Sequence, residues 1–283
     1  MSTDRGDALT PGAPLWSPQA VPRRPDSPAL FAYLLDLDDD LAQEVEVRMR
    51  FSARQHTTAR VLHADTGECD LSARFDAVGH GPGLLVLDGL MAVDTRVVDR
   101  TVTELLGAGD LLQPPDGLPD AIVDQLTTWR ALNPTRLALL DGDFVERVHS
   151  WPQILRALFR RAERRTADLS AMRAISSQPK LDVRLVLVLR HLAGRWGRVE
   201  PSGLRLCLPL THRLLGQLVA AERPSISHAL ARLSNAGIVT GCAGDWHLHG
   251  SLGAHLESLV ERTARLPSQR RDDSGAQPRS LHA

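Results

Sequence analysis

Arg223, Ser225, Ser227 and His228 crowd into six residues of the run THRLLGQLVAAERPSISHALARL, Thr211 to Leu233. Short polar side chains beside a guanidinium fork are a recognition set rather than a bond-breaking one. Arginine matches the paired major-groove acceptors of guanine, and serine and histidine supply single contacts to bases or phosphates. Arg213 and Arg232 flank the set and suit phosphate oxygens, and Thr211 stands at its start. A second set has metal-ligand types: His247 and His249 alternate on an expected strand, with Cys242 before them and His255 after. Zinc chemistry would need an open position and a placed acid or base. No CxxC or HExxH spacing occurs, nor a GxSxG, a Walker loop or a paired glycine fingerprint. The histidines are therefore read as surface residues, and neither a metal, a cofactor nor an enzyme activity is expected.

These residues need elements to position them. Thr211 N-caps a first helix with inner face Leu214, Leu215, Leu218 and Val219. A second helix starts near Pro224, a residue suited to a first turn because its missing N–H has no helical partner there. Its buried side is Ile226, Ala229, Leu230 and Leu233. The opposite stripe is Pro224, Ser227, His228 and Ala231 with Arg232 at the shoulder, narrow enough to enter a major groove ~12 Å wide. Gly237-Ile238-Val239 ends this helix and opens a hairpin whose turn lies between Gly241 and Gly244, a wing beside the reading helix.

Upstream, Trp151, Leu155, Leu158, Ala162, Arg165, Leu169 and Met172 are spaced 4, 3, 4, 3, 4 and 3 apart. That is a stripe of 3.5-residue period that can pair with its own copy. The alternative is a helix packed on its own domain. Residues 29 to about 53 place Leu30, Leu34, Leu37, Leu41, Val45 and Met49 at threes and fours, which predicts helix. Short apolar runs follow, Thr58 to His63, Leu84 to Leu87, Met91 to Val98, Thr101 to Leu106 and Thr135 to Leu140, separated by glycines and predicting a compact β-sandwich or jelly roll. Pro179 closes the seam helix. Leu181 to Ala193 predicts a buried helix, and Leu204, Leu206 and Leu208 a strand.

Of the 283 residues, 43% are hydrophobic and 24% charged, ordinary globular composition for two domains at ~100 to 200 residues each. The net charge of -1 conceals a polarity, acidic from 29 to 150 and basic from 151 to 250, with Lys180 the only lysine. That asymmetry suits a chain whose second half approaches a polyanion. No apolar run reaches the ~18 residues of a membrane span, so a cytoplasmic protein without a membrane partner is expected. Three scattered cysteines offer no disulfide framework.

At this point the chain resembles the CRP/FNR family of bacterial transcription regulators. LLGQLVAAERPSISHALARLSNAGIV follows the family pattern without gaps, within a likeness running from Leu181 to Trp246. From 57 to 150 the order of elements and the Leu106-Gly107-Ala108-Gly109-Asp110 turn carry it. The resemblance implies an α+β fold: a cyclic-nucleotide-binding-like β jelly roll, a long dimerisation helix and a C-terminal winged helix-turn-helix. The family reads bases with an Arg-Glu pair and a second Arg four residues after the Glu. Here those positions hold Arg223, Pro224 and His228, so the operator should differ from the family's usual one. Ala220 replaces a glycine common in the interhelical turn.

The resemblance also implies a sensor pocket, for which Gly109, Asp110 and Arg130 are the candidates, Arg130 or Arg136 standing in for the family's phosphate arginine. In cyclic-nucleotide-binding members the phosphate rests on backbone N–H groups and an arginine. Here Pro114 and Pro115 remove two donors, and an ungapped count puts Asp124 at the arginine's place, where a carboxylate repels the ligand. A sensor unable to bind cyclic nucleotides is expected, a nucleotide- or small-ligand-responsive regulator being the alternative. A protein-binding adaptor or a zinc-dependent enzyme are rivals of another class. The expected organisation is a proline-rich disordered arm at 1–28, sensor at 29–150, dimerisation helix at 151–178, DNA-binding domain at 179–250, and a C-terminal helix and tail at 251–283. Expected partners are a second copy, double-stranded DNA carrying an inverted repeat, and RNA polymerase.

Overall fold

The computed structural model describes residues 30–114, 124–242, 244–251, 253 and 255. The arm at 1–28, Pro115, and nearly all of the 251–283 segment lie outside these residues. The described chain divides into two compact units, Met1–Ser177 with Arg213–Glu222, and Gln178–His212 with Arg223–Ala283.

In the first unit, β1 (Leu30–Tyr33) precedes a 3-10 turn at Leu34–Asp36, α1 (Asp39–Gln43), a second 3-10 turn at Val47–Met49 and α2 (Arg50–His56). One continuous helix over 29–53 was expected from the apolar spacing, and the structure corrects this. Leu30 to Tyr33 pair antiparallel with Val61 to Thr58. Asp38, extended, then caps a new helix by accepting from Leu41 N at 3.0 Å. Of the periodic residues Leu34, Leu41 and Val45 are nonetheless buried, while Leu30 and Met49 are exposed. The periodicity reported a shared core rather than one element.

Then come β2 (Thr58–Ala64), β3 (Gly67–Cys69), α3 (Ser72–Val78), β4 (Gly83–Asp88), β5 (Leu90–Val97), β6 (Arg100–Gly107), β7 (Leu111–Leu112), β8 (Gln125–Ala131) and β9 (Thr135–Leu140). They form two antiparallel sheets, ordered β1-β2-β9-β4-β7 and β3-β8-β5-β6. Leu84, Val86, Leu137 and Leu139 of the first sheet and Met91, Val93, Leu106 and Ala131 of the second share one core. Inward residues alternate along each strand, as stacked sheets require. On its other face the first sheet meets α1, α4 (Gly142–Val148) and the start of α5 (Pro152–Ser176), where Leu41, Leu85, Ala138, Phe144, Ile154 and Leu158 form a second core. Asp141 caps α4 by accepting from Phe144 N at 2.8 Å.

The second unit contains α6 (Leu181–Trp196), β10 (Gly197–Glu200), β11 (Gly203–Leu206), α8 (Arg223–Asn235), β12 (Val239–Cys242) and β13 (Asp245–His249), with α7 (His212–Val219) preceding α8 in the chain. Its sheet is antiparallel, ordered β10-β11-β13-β12. Gly241, at φ +120°, opens the β12–β13 turn. A Cβ there would come within 2.1 Å of Asp245 O, so the hairpin requires glycine. Except for His212, α7 groups with the first unit, where Ser176 Oγ donates to Leu218 O at 3.3 Å. The expected boundary at 179 treats that helix as part of the second half.

Candidate nucleic-acid interface

Helix α8 is two-faced. Ile226, Ala229, Leu230 and Leu233 are buried, whereas Arg223, Pro224, Ser225, His228, Ala231 and Arg232 are exposed and Ser227 is half-buried. Burial of four apolar side chains fixes the helix, and the opposite stripe is left for solvent or a partner. Among the described residues the guanidinium of Arg223 makes no hydrogen bond or ion pair, and its backbone carbonyl accepts from Ser227 Oγ at 3.2 Å. Ser227 also meets His212 Nδ1 at 2.9 Å. His212, the first residue of α7, was not singled out from the sequence. Only the two-element fold brings it to α8, fifteen residues away along the chain.

Arg232 departs from the expectation that it is free for phosphate. Its Nε donates to Asp182 Oδ2 at 3.0 Å, and this hydrogen bond to the carboxylate raises its pKa. The reason is helix packing: α6 and α8 lie side by side, and the shoulder position of Arg232 meets the first turn of α6, whose acidic residue is Asp182. Arg213 is exposed on α7. Thr211 directly precedes α7 and is exposed. Between the helices, Ala220 has φ +53°, the left-handed region that favours glycine, and Ala221 N donates to Gly216 O at 2.9 Å.

The histidines of β13 are held by neighbours on the sheet. His247 Nε2 lies 3.4 Å from Asp245 Oδ1 and its Nδ1 lies 3.9 Å from Glu200 Oε2, while His249 Nε2 meets Thr240 Oγ1 at 2.7 Å. The Arg205 fork binds Asp245 with two 2.9 Å hydrogen bonds, holding the Asp245 carboxyl below the usual carboxylate range. His255 is buried, which pushes its pKa down, with the Arg190 charge acting the same way. Among the described residues no three His, Cys, Asp or Glu side chains are grouped to hold a metal ion.

Among the described residues the polar side chains of the sensor candidates are engaged within their own unit. Arg130 is engaged by Asp94 at 3.0 Å, and Asp94 also accepts from Thr103 Oγ1. The buried Asp110 carboxylate accepts from Gly107 N at 2.8 Å, and Arg136 pairs with Asp88. Gly109 backs onto the guanidinium of Arg161, and Asp124 is exposed.

The predicted stripe of α5 splits lengthwise. Trp151 and Leu158 enter the core beneath the first sheet, and Arg165 turns to Glu104 through two 2.8 Å hydrogen bonds. Burial opposes the Arg165 charge, and Glu104 outweighs it, leaving its pKa raised. Leu155, Ala162 and Met172 are half-buried and Leu169 is 44% exposed. Phe159, absent from the stripe as read from sequence, is 69% exposed. A stripe of alternating fours and threes spans ~100° of helix surface, and here the chain's own core takes one edge of it.

No protein-family model and no curated protein sequence matches the chain. Solved structures do. A cyclic nucleotide-binding domain containing protein from Listeria monocytogenes EGD-e superposes with TM-score 0.55 at 14% identity, covering 75% of this chain and 97% of that one. The c-di-GMP responsive global regulator CLP of Xanthomonas campestris gives 0.52 at 17% identity over 76% and 100%. A CooA mutant from Carboxydothermus hydrogenoformans gives 0.52 at 18% identity over 72% and 88%. At such identities the likeness concerns fold. With its antiparallel sandwich, long α5 and the helices and small sheet that follow, the chain has the fold of the CRP/FNR regulators.

Proposed function

We propose that the chain is a transcription regulator that binds DNA sequence-specifically as a homodimer, α7 and α8 forming a helix-turn-helix and the β12–β13 hairpin its wing. One observation carries this reading: the outer stripe of α8 presents Arg223, Ser225, Ser227 and His228 around a guanidinium that has no partner among the described residues, while the inner stripe is buried. An unpaired arginine fork among small polar residues suits the guanine O6 and N7 acceptors. Thr211 and Arg213 suit phosphates, a role from which Arg232 is withdrawn by Asp182. The chemistry is binding, and no catalytic role is assigned to any residue.

The dimer seam is re-registered relative to the sequence reading. Phe159, Ala162, Thr166 and Leu169 keep a 3, 4, 3 spacing on the face of α5 turned away from its own core, and Leu155, which packs against that core, marks the edge of the stripe. This stripe is the one that pairs with a second copy, placing two reading helices in successive major grooves ~34 Å apart. The sensor works without cyclic nucleotide, a reading supported by the engagement of Arg130 with Asp94 and of Arg165 with Glu104. RNA polymerase is the partner such a regulator meets at a promoter.

Selection from a random duplex pool tests the function. The expected product is an inverted repeat with half-site centres about one helical turn apart. A pool with no enriched sequence would overturn the reading and leave the rival of a protein-binding adaptor.

A further inference from the structure

A short hydrogen-bond chain sits at the leading end of α8. Ser227 Oγ lies 3.2 Å from Arg223 O and 2.9 Å from His212 Nδ1. A backbone carbonyl has no hydrogen to give, so the hydroxyl hydrogen of Ser227 goes to Arg223. With both contacts satisfied at once, the hydrogen between Ser227 and His212 comes from the imidazole, the Nδ1–H form of His212. With its one hydrogen committed inside the protein, Ser227 keeps only a lone pair to offer outward. It remains half-buried on the stripe between exposed Pro224 and His228, so that lone pair belongs to the reading edge.

We propose that His212 is a positioning residue that sets the hydrogen-bond polarity of Ser227, making the reading edge select a base with an exocyclic amino group, adenine or cytosine, where Ser227 meets the groove. This rests on the DNA-reading function proposed above. In the major groove adenine N6 and cytosine N4 donate, whereas guanine and thymine present acceptors. A serine hydroxyl that rotates freely takes either kind. One whose hydrogen is spent on a carbonyl accepts only, and a single hydrogen bond of this type gives about a threefold to tenfold preference.

The test compares full-length wild type, Ser227→Ala, His212→Ala and His212→Asn, by selection from a random duplex pool and by mobility-shift titration on four duplexes differing at one base pair. That pair is the one at which Ser227→Ala changes the selected base. Wild type should favour adenine or cytosine there by about threefold to tenfold. His212→Ala should reduce the preference below about twofold with the rest of the site unchanged, because Ser227 loses the imidazole hydrogen bond that holds its side chain against the Arg223 carbonyl and rotates to donate outward. His212→Asn, whose amide N–H stands near the place of Nδ1–H, should restore it. Wild-type preference for guanine or thymine at that pair overturns the proposal, as does a His212→Ala profile identical to wild type. Weakening by His212→Ala that is equal on all four duplexes overturns it too, since that is a packing effect. If circular dichroism finds His212→Ala unfolded, His212→Asn decides, and loss of the preference in that folded variant refutes the donor role. A wild type that enriches no sequence at all refutes the DNA-reading function instead.

Discussion

Two helices of this chain carry arginines in quite different states. On α5, Arg161 is 3% exposed and its fork grips Asp38 at 2.6 and 2.7 Å, and one turn on Arg165 grips Glu104. On α8, Arg223 stands exposed with no partner for its guanidinium among the described residues. A charge whose hydrogen bonds are all spent inside a unit orders that unit, and a charge left over is available to a ligand. Arg232 shows that the distinction runs through a single helix: a guanidinium of the same kind as that of Arg223 is committed to Asp182. Counting arginines therefore overstates a polyanion interface, and subtracting those that own a carboxylate gives a better measure of it.

The comparison is broken most severely at Asp38. Asp38→Ala should destabilise the first unit by about 3–5 kcal/mol in urea titration, because it leaves Arg161 buried and unpaired and also removes the cap of α1. Arg223→Ala should leave the denaturation midpoint nearly unchanged, as expected for an exposed side chain without partners.

The two edges of α5 separate by the same logic. Leu158→Glu should impair folding, since Leu158 is 2% exposed in the core and an unpaired carboxylate there loses its hydration. Phe159→Glu with Leu169→Glu should leave a folded monomer in sedimentation, like charges facing each other across the two-fold seam. A dimer that survives the double change moves the interface off α5.

Arg213 and Arg232 give a second contrast, under the DNA-binding function proposed above. Arg213→Ala should lower the slope of log affinity against log salt by about one unit, the signature of one lost phosphate contact. Arg232→Ala should leave that slope alone and cost about 0.2–1 kcal/mol of stability, the usual worth of an exposed ion pair. A gain of similar size is expected at Ala220, where Ala220→Gly should raise stability by about 0.5–1 kcal/mol through relief of the left-handed backbone. Thermal denaturation measures it.

How far these states were legible in the sequence depends on range. The buried stripe of α8 follows from local periodicity, and Ile226, Ala229, Leu230 and Leu233 are all buried. The strands from Thr58 to Leu140 likewise carry their own punctuation, although β8 (Gln125–Ala131), with its threonines and tryptophan, follows a segment that hid its start. Which side of α5 faces inward was not legible, because a seam stripe and a domain-packing stripe share the same spacing, and only Asp38 and Glu104, distant in sequence, decide between them. The helix expected over 29–53 failed for the same reason: the pairing of Leu30–Tyr33 with β2 is a tertiary fact. The His212–Ser227 contact and the Asp182–Arg232 pair each join residues from different elements. No local pattern announces such pairs.

The fork of Arg223, which has no partner among the described residues, is proposed to read a base. Mobility-shift titration of wild type and Arg223→Ala against the selected inverted repeat and a series of single base-pair substitutions tests it most directly. The expected result is a loss of about 1–3 kcal/mol on the selected site and indifference of the variant to substitution at one symmetry-related G·C pair, with discrimination elsewhere retained. An equal loss on every duplex, with the choice at that pair intact, would make Arg223 a backbone clamp and contradict the claim.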